Sequence, residues 1–172
     1  MDVFEAIEKR SSVRTFRPDP IPLEHLKKIV DAGRRAPSGG NFQLREFIIM
    51  TDPTLIKQFN DVQPTFENVP AVIAVIIEPL DVGRGSYWVQ DACAAMENMW
   101  LAAVALGYGS RWVEGTVRKK EDWLRGLLGI PKGKRLWALM PIGVPAAPKA
   151  QAKKAELKDI VFQNRYGQAM GA

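Results

Sequence analysis

The segment Arg10-Ser11-Ser12-Val13-Arg14 surrounds two hydroxyl groups with two guanidinium groups. Arginine forks bind phosphate bidentately and serine hydroxyls donate to phosphate or polyol oxygens, so this set suits a phosphate attached to a polyhydroxyl chain. A second set, Pro37-Ser38-Gly39-Gly40-Asn41-Phe42-Gln43, joins a permissive backbone to two amides. Asn41 and Gln43 each donate and accept, which matches the mixed hydrogen-bonding edge of a flat heteroaromatic ring. In a third set, Trp112-Val113-Glu114-Gly115, the glycine lets the main chain approach a flat ligand. A backbone N–H aimed at such a ring stabilises negative charge that develops on it. Each set also has a plainer reading. Arg10 can complement a helix C-terminus, a Gly-rich stretch can be only a turn, and Glu114 can be a surface carboxylate.

Other chemistries fall away. The sole histidine is His25 and the sole cysteine is Cys93, which lies in an apolar helical pattern and reads as a buried, inert thiol. No carboxylate or cysteine cluster has metal-ligand spacing, so no metal site is expected, and neither a G-x-x-x-x-G-K-[ST] loop nor a G-x-G-x-x-G turn is present. No side chain is therefore expected to be catalytic in its own right. A chain with this inventory can still catalyse if a cofactor carries the reaction.

The elements that must hold these sets follow from periodicity. Asp2 and Glu5 form a capping-box pattern that predicts a helix over 2–10, with Val3, Phe4 and Ile7 as its apolar stripe. Leu23, Leu26, Ile29, Val30 and Gly33 mark a second helix that Pro37 stops. Glu46 to Thr51 suits a strand, Pro53 starts a brief helix ending near Asn60, and the β-branched run Val69 to Ile77 predicts a strand buried on both faces. Trp88 to about Leu106 predicts the longest helix, buried nearly all round, which implies a subunit interface in a chain of 172 residues. Ser110 to Glu114 reads as a short strand or extended loop, Thr116 as the cap of a helix through Leu128, and Leu136 to Ile142 as a strand. One domain is expected over 1–172, with 146–172 a Lys- and Ala-rich tail that packs on a partner subunit. No stretch is long and apolar enough to cross a bilayer, and no secretory pattern opens the chain, so a cytoplasmic protein is expected. The formal charge of +5 gives a mild positive field that attracts phosphates, nucleotides and nucleic acid alike. The basic residues are dispersed apart from Lys149, Lys153, Lys154 and Lys158, which read as a solvated face, so neither nucleic acid nor membrane is an expected partner.

In order and spacing, the three sets resemble the nitroreductase family of flavin enzymes. Arg10, Ser12 and Arg14 match its R-x-S-x-R/K pattern, and Ala36 to Gln43 match A-P-S-x-x-N-x-Q. Gln90-Asp91-Ala92 through Glu97-Asn98-Met99 to Leu106-Gly107 is similar to its central helix. The resemblance implies an α+β fold, a mostly antiparallel sheet wrapped by helices, in an obligate homodimer with flavin sites at the subunit interface. It further implies FMN as cofactor, NADH or NADPH as transient electron donor, and a small organic acceptor such as a nitroaromatic or quinone. On this resemblance Arg10, Ser12 and Arg14, joined by Ser11, hold phosphate and ribityl chain. Pro37, Ser38, Gly39, Asn41 and Gln43 approach the same flavin, some from the other subunit. Glu114 and Gly115 match the main-chain contact near the redox nitrogen, and Arg165 matches a basic residue on the phosphate.

The chain departs from the family where Pro-Trp commonly follows the glutamine, since Leu44 and Arg45 stand there. The links 61–68 and 79–87 are also short, and Phe66, Tyr87 and Trp88 are candidate covers for the open flavin face or else core residues. Rival readings are a reductive dehalogenase, the flavin-fragmenting enzyme that makes the lower ligand of vitamin B12, a flavin-binding storage or sensor protein without turnover, and a basic nucleic-acid-binding domain.

Overall fold

The computed structural model describes residues 1–64, 66, 68–80 and 86–170. Its centre is an antiparallel sheet. Strands β1 (Arg45–Met50), β2 (Ala71–Ile77), β3 (Gly109–Ser110) and β4 (Arg135–Gly143) lie in the order β1-β2-β4-β3. Arg45 pairs with Ile77 and Met50 with Val72 across the first ladder, and Ala71 pairs with Ile142 across the second. The β2 residues are buried throughout, as the β-branched run predicts, and Pro70 moves the start of the strand to Ala71.

Alternation along β2 divides the core in two. Ala71, Ile73, Val75 and Ile77 face the helices α2 (Leu23–Arg34) and α4 (Trp88–Ala105), meeting Leu26, Ile29, Met96 and Met99. Val72, Ala74 and Ile76 face the other layer, formed by α3 (Pro53–Gln58), α5 (Gly115–Lys119) and α6 (Glu121–Leu127), and meet Ile56, Phe59, Val117 and Leu124. Helices therefore cover both faces of the sheet. Close approach of α2 to α4 depends on Gly33, where an added Cβ would lie 2.7 Å from Met99 Cγ.

Helix α1 (Val3–Lys9) has the anticipated capping box, with Asp2 Oδ1 accepting from the Glu5 N–H at 2.9 Å and Glu5 Oε2 accepting from the Asp2 N–H at 2.9 Å. Its apolar stripe, however, does not enter this chain's core. Only Ala6 of α1 is buried, and Phe4 is 74% exposed. Helix α4 buries Ala92, Ala95, Met96, Met99, Trp100, Ala103 and Val104, but Gln90, Glu97 and Ala105 are exposed, so one chain does not surround it.

The helix anticipated from Thr116 through Leu128 is two helices. Glu114 stands at the N-cap of α5, Thr116 lies inside it, and Lys120, with φ −126° and ψ 23°, breaks the run before α6. After β3 the chain leaves the sheet and Val113 rejoins it by a single bridge to Leu139, in line with the short strand or extended loop anticipated over Ser110 to Glu114. The tail is anchored through Gln151, whose Nε2 donates to the Ile7 carbonyl at 2.6 Å. Beyond it, α7 (Leu157–Ile160) and the following turn make their described backbone hydrogen bonds within the tail. Leu157 and Tyr166 there are 73% and 94% exposed.

Candidate functional site

The first set leaves α1 as an extended segment on the sheet edge. Ser12 bridges in parallel to Ser110, and the Val13 N–H donates to the Ser110 carbonyl at 2.9 Å. Extended backbone sends alternate side chains to opposite sides. Val13 is accordingly buried in the core and Ser11 is buried with it, while Ser12 is half-buried and Arg14 exposed. The Ser11 hydroxyl donates to the Lys149 carbonyl at 2.9 Å, and Lys149 Nζ donates to the Ser12 carbonyl at 2.8 Å. In this structure Ser11 thus ties the strand to the start of the tail, and Ser12 and Arg14 remain on the open side. Arg10 lies against α4, its guanidinium 4.6 Å from the Trp100 ring centroid and its Nε 3.8 Å from Glu97 Oε1. Arg111, buried behind the strand, has its pKa lowered to about 10 by desolvation and by the neighbouring Arg14 charge. The two guanidinium groups make this edge a place that favours an anion.

The second set follows the C-terminal end of α2 as a short turn over Gly39–Asn41. Asn41 and Gln43 both have φ of 56°, so their side chains project from left-handed backbone, and both residues are exposed. The glycines have a more local reason than ligand approach. A Cβ on Gly39 would lie 2.8 Å from the Tyr87 ring, and one on Gly40 would run into the Phe42 ring. The Gln43 N–H donates to Ser38 Oγ at 3.1 Å, and Pro37 is exposed beside it.

Two residues that the motif reading did not single out as functional hold this turn. Asp91, buried in the first turn of α4, accepts the Gly39 N–H on Oδ1 at 2.9 Å. Arg45, buried at the start of β1, donates from Nη1 to the Pro37 carbonyl at 2.7 Å and the Asp91 carbonyl at 3.2 Å. Its Nη2 donates to the Ala36 carbonyl at 2.7 Å. Burial lowers the Arg45 pKa and the Asp91 charge works against that shift. The departure from Pro-Trp therefore has a structural role here.

The third set stands near the first. Glu114 occupies the N-cap position of α5 without a side-chain capping bond, and its carboxylate, after burial, raises the Cys93 thiol pKa through space. An added Cβ on Gly115 would meet nothing within 4 Å, so the main chain there borders open space. Cys93, Glu97 and Trp100 lie on one side of α4. About two and a half turns separate Asp91 from Trp100, which puts them on opposite sides of the helix. Within one chain the first and third sets therefore share one side of α4, and the second set lies across it. Arg165 sits apart in the exposed tail turn, its carbonyl accepting the Gln168 N–H at 3.1 Å.

This arrangement can be set beside known proteins. A family model described as the nitroreductase family matches residues 7–65 and 62–144. A protein of Archaeoglobus fulgidus, named provisionally as an NADH dehydrogenase/NAD(P)H nitroreductase, is 34% identical over 154 residues, covering 86% of this chain and 88% of its own. The chain belongs to the nitroreductase family. It is an oxidoreductase, in keeping with the NADH dehydrogenase of Thermus thermophilus, 26% identical across 94% of this chain and 96% of that one. The crystal structure of a nitroreductase family protein from Clostridium novyi NT superposes with a TM-score of 0.78 at 27% identity, over 98% of this chain and 97% of that one. The expected antiparallel sheet wrapped by helices is the nitroreductase fold.

Within that fold the aromatic residues considered as covers divide. Phe66 is core, 1% exposed and edge-on to Phe59. Trp88 is half-buried and stands edge-on to Trp137, whereas Tyr87 is 43% exposed beside the Gly39 turn. Part of the short link 79–87 lies outside the described residues. Among the described residues no helix is long and apolar enough to cross a membrane, and no cluster of His, Cys, Asp or Glu could hold a metal ion.

Proposed function

We propose that this nitroreductase-family chain binds FMN between two copies of itself and passes electrons from NADH or NADPH to a small organic acceptor such as a nitroaromatic or quinone. The observation that carries this reading is the division of the motif sets around α4, with Arg10 against Glu97 and Trp100 on one side and Gly39 on Asp91 on the other. A flavin needing both sets would take one from each chain. The exposed Phe4, Leu157 and Tyr166 are the sort of apolar surface that a second copy buries, with the tail on its partner.

The residues present fit FMN. The Arg10, Ser12 and Arg14 edge supplies charged and hydroxyl donors, Asn41 and Gln43 are exposed, and Gly115 borders open space. Arg10, Ser12 and Arg14 would hold phosphate and ribityl oxygens, with Arg165 of the tail reaching the phosphate. Ser11 would fix the strand that carries them. Pro37, Ser38, Gly39, Asn41 and Gln43 would line the ring, the two amides reading its polar edge. Main-chain groups at Glu114 and Gly115, together with Arg14, would favour negative charge near the redox nitrogen. Bound FMN supplies hydride acceptance from the nicotinamide and electron delivery to the second substrate.

The test is direct. Purified protein should be yellow and release FMN on denaturation at about one per subunit, and its absorbance should bleach anaerobically with NADH or NADPH and return on adding an acceptor. Protein that neither holds nor takes up FMN would refute the reading. Bound flavin that no nicotinamide donor bleaches would leave a storage or sensor role instead.

A further inference from the structure

The turn that carries Asn41 and Gln43 runs through left-handed backbone, which Gly40 adopts freely and Asn41 tolerates but Gln43 disfavours. Gly40, Asn41 and Gln43 have φ of 55°, 56° and 56°. Left-handed backbone at non-glycine residues persists where the surroundings over-determine it. Ser38 Oγ and the Asp91 carboxylate each take one N–H of the turn. Arg45 holds its other side through carbonyls, joining Ala36 and Pro37 at the end of α2 to Asp91 at the start of α4. Arg45 is 9% exposed, and a buried guanidinium is retained against its desolvation when its fork is satisfied, as both terminal nitrogens are here. The Ala36 and Pro37 carbonyls lie just past the C-terminal end of α2, where a cation is favoured. A tryptophan at this position, the residue expected from the family pattern, has one N–H to offer and could not bridge three carbonyls.

We propose that Arg45 is a positioning residue for the flavin, pinning the Ala36–Asn41 turn to the first turn of α4 and so fixing how Asn41 and Gln43 are presented to the ring. The proposal rests on the flavin reading above. Arg45 acts through the turn and does not itself contact the ring.

The experiment titrates FMN into flavin-stripped full-length protein, wild type, Arg45→Met and Arg45→Lys, following quenching of flavin fluorescence. It also records the visible circular dichroism of the bound flavin and the thermal melt of each apoprotein. Arg45→Met is expected to weaken FMN binding about 10-fold, as when the released turn holds its binding conformation about a tenth of the time. Its bound flavin should show an altered dichroism spectrum even at saturation. Arg45→Lys keeps the charge but not the planar fork, and should recover only part of the affinity. Wild-type affinity and spectrum in Arg45→Met, whatever its melting temperature, would overturn the positioning role and leave the flavin reading intact. Should Arg45→Met fail to fold, Arg45→Lys decides: weaker binding with an altered spectrum supports the role, and wild-type behaviour overturns it. Wild-type protein that binds no FMN would overturn the flavin reading itself, and this inference with it.

Discussion

If each flavin takes its phosphate-side contacts from one chain and its ring-side contacts from the other, two defective proteins should repair each other. One parent carries Ser12→Ala with Arg14→Ala, which spares Ser11 and Arg10 with their contacts to Lys149 and Trp100. The other carries Asn41→Gly with Gln43→Gly. Glycine is the appropriate replacement because both positions have φ of 56°, where alanine would add backbone strain to the lost side chain. Removing a charged and a neutral hydrogen-bonding partner should cost the first parent about 2 to 4 kcal/mol, or roughly 30- to 1,000-fold in FMN affinity. The second, losing two neutral amides, should lose about 1 to 3 kcal/mol, roughly 5- to 150-fold. When the two are unfolded and refolded together, random pairing makes about half the dimers mixed, and each mixed dimer has one site intact and one broken in both sets. Fluorescence titration should then show a phase with wild-type affinity covering about one quarter of the sites, absent from either parent alone. Mass-tagged subunits would verify that mixed dimers formed. Mixed dimers without the tight phase would refute the shared site, because a site built within one chain stays broken in every pairing.

Three further outcomes follow from particular contacts. Gly109→Ala should destabilise the protein by about 1 to 3 kcal/mol in urea unfolding, since overpacking cores costs that much and the new Cβ would lie 2.6 Å from Val13 Cγ2 and 2.8 Å from Pro145 Cγ. The Glu5 carboxyl, held below its ordinary 4.5 by the Asp2 N–H and then by Lys9, should titrate below that value by NMR. Because its folded pKa is depressed, the capping box contributes fully above the unfolded pKa and is lost as the pH falls through the folded one, so Glu5→Gln should flatten the acid dependence in that window. Deleting 153–172 should leave the fold of each chain intact, because the described hydrogen bonds that join body and tail lie at or before Gln151. It should weaken dimerisation by light scattering, and FMN binding with it. An unchanged dimer would show that the tail does not pack on its partner.

What the sequence revealed, and what it hid, follows from the range over which each signal acts. The strand at β2 is visible because burial on both faces demands an unbroken apolar run, and the α1 cap is visible because a capping box needs an accepting side chain at the N-cap and a Glu or Gln three residues on. Thr116 misled because a threonine near a helix start looks like a cap, although the backbone that makes a cap lay one residue before Gly115. Arg45 showed in the sequence only as a departure from Pro-Trp, because its acceptors are main-chain carbonyls of Ala36, Pro37 and Asp91, and a carbonyl leaves no mark on residue type. The apolar stripe of α1 exposes a deeper limit. Val3, Phe4 and Ile7 repeat as a buried face repeats, yet this chain leaves all three exposed. Periodicity reports that a surface is meant to be covered and says nothing about which chain covers it. The same holds for the site. Spacing along the sequence presents Arg10, Asn41 and Glu114 as one constellation, whereas α4 separates the second set from the other two. If one flavin takes all three sets, a second copy must supply the second set, and binding the cofactor and forming the dimer should then be linked, each strengthening the other.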